Sequence, residues 1–438
     1  MPSPLDPEAA PLSLPVMAVR GLAVGLCAGG VVGLLRLSHD RAASRLALWL
    51  DGWREALWIV PLWFAVLVAL ALILRRIVRE TPLISGSGIP QTELALAGRL
   101  SFTWWRVLLA KFMGRWLALF GGLALGREGP SIQMGGAVGA GFHAFWHPSQ
   151  SEAKPSLAGS PYLTGGAVAG LAAAFGAPIA GVLFAFEEMK CRRTPPLIAV
   201  SCAAALGAHV MVRAVFGMGR ILPFADFPAP ALSSYWIVAL EGVVFGFLGV
   251  GYNRTLLWLH DTEARQTLVP DRWRALPPLV CAGIIALFVP QVVGGGESLI
   301  ISVGDHGVAL GTLAVLLVLK YLFAQYSTVA AIPGGLLMPI LCLGALWGRA
   351  WAELPVAALA AHGLSAPDAA QSYVLFGMAG YFAATVRAPL TGIMLVMEMS
   401  GAYACLPGSL LAGLVACRVA NALRCPPVYD SLKARIRF

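Results

Sequence analysis

Charge is what this chain has least of: 12% of its 438 residues are Asp, Glu, Lys or Arg, where soluble domains carry about 25%. With 58% hydrophobic residues and a mean hydropathy of +0.77, that shortage excludes a soluble enzyme. Paired cysteine is missing as well. Cys27, Cys191, Cys202, Cys281, Cys342, Cys405, Cys417 and Cys425 are scattered through apolar sequence with no C-x-x-C spacing, so they read as small core residues. Histidine offers no metal motif: His143 and His147 have i, i+4 spacing, but no Glu or third ligand accompanies them in the H-E-x-x-H manner. An interfacial pair near Trp146 is expected, and no metal. Residues 1–15 are Pro-rich and slightly acidic, without the basic n-region of a signal peptide, so no cleavage is expected.

What is present is membrane-spanning sequence. Apolar stretches such as Leu57 to Leu74, Leu310 to Phe323 with its flanks, and Leu406 to Val419 recur along the chain, and no sizeable soluble domain is left over. The net charge of +9 does not point to nucleic acid, because the basic residues cluster at the ends of apolar segments. Arg75, Arg76 and Arg79, then Lys190, Arg192 and Arg193, then Lys433, Arg435 and Arg437 follow the positive-inside pattern and place those ends in the cytoplasm.

Many of the expected helices are too short to span and are broken by Gly and Pro: after Gly86-Ser87-Gly88-Ile89-Pro90, Gly126 to Pro130, Ala177-Pro178, Gly334 to Pro339 and Ala388-Pro389. Broken helices at membrane depth are tolerated where they line a polar cavity, which favours a transporter or channel over a plain bundle. The breaks also repeat. Gly126, Pro130, Gly135 and Gly139 recur as Gly335, Pro339, Gly344 and Gly348, 209 positions on, and Ala177-Pro178, Gly181 and Glu187 recur as Ala388-Pro389, Gly392 and Glu398, 211 on. A single membrane domain over 1–438 is expected, with a short cytoplasmic segment (1–15), a first repeat (16–222) and a second (233–438). Sequence leaves open whether the repeat is inverted.

Gly126-Arg127-Glu128-Gly129-Pro130 places a carboxylate between two glycines at the start of a small-residue helix. A charge at bilayer depth costs about 2.5–3.5 kcal/mol on insertion scales, so it is rarely kept without a use. The N–H groups of a helix N-terminus hold anions, Gly lets the backbone approach, and Pro in the first turn lacks only a spare donor. One Gly-Pro break alone is better read as a kink or a close helix contact; three of this make-up, two of them repeat-related, favour an anion site without a full positive charge. Glu187-Glu188 ends the apolar segment from Ala177, where the negative end of the helix dipole disfavours ionisation. The plainer reading there is a helix end with Glu188 and Arg192 paired at i, i+4.

On Gly86-Ser87-Gly88-Ile89-Pro90, Gly126 to Pro130, Gly334 to Pro339 and Pro427-Val428-Tyr429, in order and spacing, nearly the whole chain resembles the CLC family of chloride channels and chloride/proton antiporters. The resemblance implies an all-α polytopic membrane protein of two repeats with many tilted, broken and half-spanning helices. It implies Ser87 and Tyr429 as hydroxyl ligands of a central chloride, completed by backbone amides around Leu336, Leu337 and Gly129. It implies Glu128 as the gating glutamate, with Arg127 and Pro130 in supporting places, and Glu188 as the internal proton-transfer acid of antiporters, with Glu187 supporting it. Two positions depart from the family pattern: Gln91 where Glu is common, with Glu93 nearby, and Leu337 where Phe is usual.

The expected function is chloride/proton exchange, by a homodimer with a pathway in each subunit, in a bacterial inner membrane, with cytoplasmic termini, lipid as surroundings, no cofactor and no regulatory domain after Tyr429. A passive chloride channel of the same family is the alternative, opposed mainly by Glu188. A fluoride exporter and a nitrate preference are disfavoured by Ser87, which those members replace. An intramembrane serine protease using Ser87 with His209 as base would leave Glu128, Tyr429 and the repeat unexplained.

Overall fold

Gly and Pro cut this apolar chain into helices of very different length, because Pro is tolerated only in a first turn and Gly closes a helix in the left-handed conformation. The computed structural model describes residues 12–52, 56–147, 156–305, 308–356 and 371–436. Among these, seventeen α-helices follow one another: α1 (Leu14–Asp51), α2 (Ile59–Glu80), α3 (Ile89–Leu96), α4 (Trp104–Leu119), α5 (Glu128–Trp146), α6 (Pro161–Phe175), α7 (Pro178–Glu187), α8 (Pro195–Val210), α9 (Tyr235–Arg265), α10 (Leu276–Phe288), α11 (Glu297–Asp305), α12 (Leu310–Thr328), α13 (Leu337–Trp351), α14 (Ser372–Val386), α15 (Pro389–Ser400), α16 (Leu406–Ala422) and α17 (Val428–Lys433). No strand forms among the described residues; isolated bridges between Gly86 and Pro333 and between Gly126 and Gly335 join loops. Most of the Pro-rich opening segment, residues 1–11, and Arg437 lie outside the described residues.

Among the described residues, six helical stretches are long and apolar enough to cross a bilayer: Leu14–Leu46, Ile59–Glu80, Pro195–Val215, Leu232–Arg265, Leu310–Thr328 and Tyr403–Ala422. Helices α6, α7, α14 and α15 have 15, 10, 15 and 12 residues, short of the roughly 20 a bilayer core needs. α7 and α15 open on the expected Pro178 and Pro389 and α6 on Pro161, and Gly176 (φ 69°) and Gly401 (φ 79°) close α6 and α15. The fold is thus all-α, with spanning and half-spanning helices mixed.

Lipid tails are as apolar as leucine, so helices here associate through close packing rather than burial from water. Small residues supply it. A Cβ on Gly135 would stand 2.1 Å from the Gly166 carbonyl oxygen, and one on Gly344 would stand 2.6 Å from that of Gly377. The first contact joins α5 to α6 and the second joins α13 to α14, their counterparts in the other half.

Other contacts recur between the halves in the same way. Gly126 N–H donates to Gly335 O (2.8 Å) and Gly335 N–H to Gly126 O (2.7 Å), so these two glycines meet their own counterparts. The fully buried Lys111 donates from Nζ to the carbonyls of Ile84 and Gly86, both at 2.8 Å, and Lys320 does so to Val292 (2.9 Å) and Gly294 (2.8 Å). Near the end of α7, Glu187 accepts from the N–H groups of Leu390 (3.2 Å) and Thr391 (2.7 Å), while Glu398, late in α15, accepts from Ile179 (3.0 Å) and Ala180 (2.8 Å). Each acid caps the start of the other helix, so α7 and α15 run antiparallel, and exchanging them requires a two-fold rotation across their axes. The repeat is inverted, the arrangement that places a site at the midplane of many transporters.

The basic clusters gather at one end of the molecule. Arg75 pairs with Asp271 and Arg435 with Asp261 (2.8 Å), both near the C-terminal end of α9, and Lys190 and Lys433 share Asp430 at 2.6 and 3.0 Å.

Candidate functional site

Ser87 is presented by a loop that only glycine permits: Gly86 and Gly88 on either side have φ of 64° and 91°. Lys111 holds the carbonyl of Gly86 from behind, and Gln91 holds that of Ser85 through Nε2 at 2.9 Å. That bond accounts locally for the first departure from the family pattern, since a carboxylate at position 91 could not donate to a carbonyl. The result aims Ser87 at the start of α5: a Cβ on Gly129 would stand 2.3 Å from Ser87 Oγ.

The N-termini of α5 and α13 approach this serine from opposite halves. Their leading glycines are the hydrogen-bonded Gly126 and Gly335, and Leu336 and Leu337 at the start of α13 are 4% and 0% exposed. Glu128, the first residue of α5, folds its carboxylate back over the break: a Cβ on Gly126 would lie 2.0 Å from Glu128 Oε2. The carboxylate therefore occupies space in front of amides that could otherwise hold an anion. Pro130, in the first turn of α5, is buried.

Tyr429, at the start of α17, is fully buried and its hydroxyl faces Ser87, though neither oxygen completes a hydrogen bond. Ser87 Oγ, Tyr429 Oη and Glu128 Oε2 are all buried without a protein partner. These three polar groups converge near the start of α5, where a bound species could satisfy them. Two hydroxyl donors and helix N-termini suit a desolvated anion held without a full positive charge.

Arg127 points away from this centre. Its guanidinium pairs with Asp40 of α1 (2.5 Å) and Glu297, the first residue of α11 (3.2 Å). Glu188 is buried at 5% exposure, and Tyr429 is within electrostatic reach of both Glu188 and Glu128. The i, i+4 pairing of Glu188 with Arg192 is not formed, because α7 ends at Glu187 and Lys190 turns the chain with φ 52°. Glu187 itself is committed to the start of α15.

The serine-histidine arrangement is not formed either. His209 lies near the end of α8 beside the Gly176 backbone and Arg213, whereas Ser87 faces Gly129 and Tyr429. His143 Nδ1 bonds Ser160 Oγ at 3.0 Å and its ring stacks on His147.

Lys111, Asp40, Glu297 and Asp430 around the site were not singled out from sequence, and Lys433 was read only as part of a basic cluster. Lys111 and Lys320 stand in apolar helices 209 positions apart, the offset of the repeat, which is a signal that could have found them. Apart from the local Asp430–Lys433 contact, the rest have partners 87 to 340 residues away and carry no such mark.

Comparison with known proteins places the chain among transporters. Residues 66–421 match the family described as voltage gated chloride channel. The H(+)/Cl(-) exchange transporter ClcA of Vibrio campbellii is 33% identical over 97% of this chain and 90% of its own length. That of Vibrio cholerae is 34% identical over 94% and 89%. A slow cyanobacterial Cl-/H+ antiporter has the same fold with a TM-score of 0.88 at 28% identity, over 97% of this chain and 98% of that one. A CLC-type fluoride/proton antiporter shares the fold alone, at 18% identity and a TM-score of 0.73. The GSGIP and GREGP breaks, the inverted repeat and these matches lead to one conclusion: the chain belongs to the voltage-gated chloride channel (CLC) family.

Proposed function

We propose that this protein exchanges chloride for protons across a bacterial inner membrane, with its termini and basic clusters in the cytoplasm, and works as a homodimer with a pathway in each subunit. The observation that carries the reading is the pair of buried acids, Glu128 and Glu188, both within electrostatic reach of Tyr429. A passive channel needs the first acid as a gate but has no use for the second.

In this reading chloride is the cargo, held by the Ser87 and Tyr429 hydroxyls and by amides around Gly129, Leu336 and Leu337. The ionised Glu128 carboxylate mimics chloride in front of the α5 amides, and protonation removes its charge and releases it to swing aside. Glu188 takes protons from the cytoplasmic side and passes them toward Glu128. Leu337 lends an apolar wall where the family usually has Phe. The site moves ions and performs no covalent chemistry, and no cofactor is required.

Simultaneous recording of chloride and pH in proteoliposomes, under a chloride gradient with the voltage clamped, tests this. Uphill proton movement driven by chloride is expected, and chloride flux without it would leave a channel. Glu128→Gln, a neutral stand-in for the protonated acid, should pass chloride while losing both proton coupling and pH dependence.

A further inference from the structure

Beneath the Tyr429 end of the centre, four charged side chains form a continuous line. Lys433 Nζ donates to Glu93 Oε2 at 2.6 Å and to Asp430 Oδ1 at 3.0 Å, and Lys190 Nζ donates to Asp430 Oδ2 at 2.6 Å. The line starts on α3, the helix that Ser87 leads into. It crosses α17, which carries Tyr429, and ends on the turn after Glu188. Glu93 is 6% exposed, and its second oxygen, Oε1, is buried without a partner.

The ionisable groups around Glu188 are Glu93 from α3, Asp430, Lys433 and Tyr429 from α17, and Lys190 from its own turn. Cys191 on that turn lies within reach of Glu93. The other acids of α7 and α15, Glu187 and Glu398, are engaged at helix N-termini. Arg193 turns aside, over the Phe186 ring. Two carboxylates, Glu93 and Asp430, thus lie within electrostatic reach of Glu188, and Lys433 is bonded to both. Burial works against charge on Asp430, but the hydrogen bonds from Lys190 and Lys433 hold it below the usual carboxylate range.

We propose that Lys433 is a positioning residue for proton loading: by bonding Glu93 and Asp430 together it sets the negative charge that Glu188 meets, and so the cytoplasmic pH at which Glu188 takes its proton. This rests on the reading of Glu188 as the proton-loading acid. Electrostatics supply the direction. Removing a cation from beside two carboxylates makes the next proton easier to bind, so loading should persist to higher pH; removing the Glu93 charge should do the reverse.

The experiment measures chloride-coupled proton flux in proteoliposomes against cytoplasmic pH, with chloride binding by calorimetry alongside. Lys433→Met should raise the pH midpoint by about one unit, the size expected for losing one neighbouring charge. Lys433→Arg should keep the wild-type midpoint, and Lys433→Met with Glu93→Gln should return toward it. Chloride affinity should hold throughout, which a mere shift of α17 and its Tyr429 would not allow. If Lys433→Met does not fold, Glu93→Gln alone should lower the midpoint. A wild-type profile in Lys433→Met, or in Glu93→Gln, overturns the proposal. Glu188→Gln separates it from its premise: proton flux should vanish there while chloride flux survives. If Glu188→Gln still couples protons, the premise and the proposal fall together. If it uncouples while Lys433→Met is silent, only the role of Lys433 falls.

Discussion

A phenol without a hydrogen-bond partner at the bottom of a membrane protein is an unusual group to bury, and Tyr429 offers a clean test because one atom can be removed. Tyr429→Phe keeps the ring and deletes the donor. A hydrogen bond to a charged partner contributes about 1.5–3 kcal/mol, so the chloride dissociation constant from calorimetry should rise by roughly ten- to a hundredfold. Unchanged affinity would remove Tyr429 from the site. At this scale the centre was legible in sequence, because Ser87, Glu128 and Tyr429 are each flanked by Gly or Pro in a recognisable order. Glu93, Asp430 and Lys433 were not. Their meeting depends on α17 returning to α3 across more than three hundred residues, and short-range spacing carries no record of that.

Among the elements, the half-helices were legible from their prolines and glycines, whereas what holds them was less so. The loops before α3 and α11 have carbonyls turned inward, and Lys111 and Lys320 are the donors that satisfy them. Replacing either lysine by Met keeps the length and leaves two buried carbonyls without a donor, each costing about 1–3 kcal/mol. Both variants should therefore unfold at lower temperature in detergent by similar amounts. Only Lys111→Met should weaken chloride binding, since its loop leads into Ser87 and the other leads into Gly295. Equal loss of chloride affinity in the two variants would sink the distinction. Glu187 and Glu398 make the same point: both were visible as repeat partners, but a carboxylate reaching the first turn of a helix two hundred residues away could be recognised only once α7 and α15 were seen side by side.

For the whole molecule, the membrane class and the duplication followed from composition and offset, but the inversion needed the reciprocal caps. The ends can be assigned by labelling. In a background with the eight native cysteines replaced, Arg76→Cys should react with an impermeant maleimide only from the cytoplasmic side, and Asp40→Cys, beside Arg127, only from outside. The reverse pattern would invert the proposed orientation. The inverted repeat has a wider consequence for sidedness. A frame that nearly maps onto itself when turned over looks much alike from either face of the bilayer, so the backbone shared by the two halves says little of inside and outside. That distinction has to reside where the halves differ, as at Glu128 against Leu337 and Ser87 against Gly295. Direction in this transporter is written where the two halves part, on a scaffold that otherwise favours neither face.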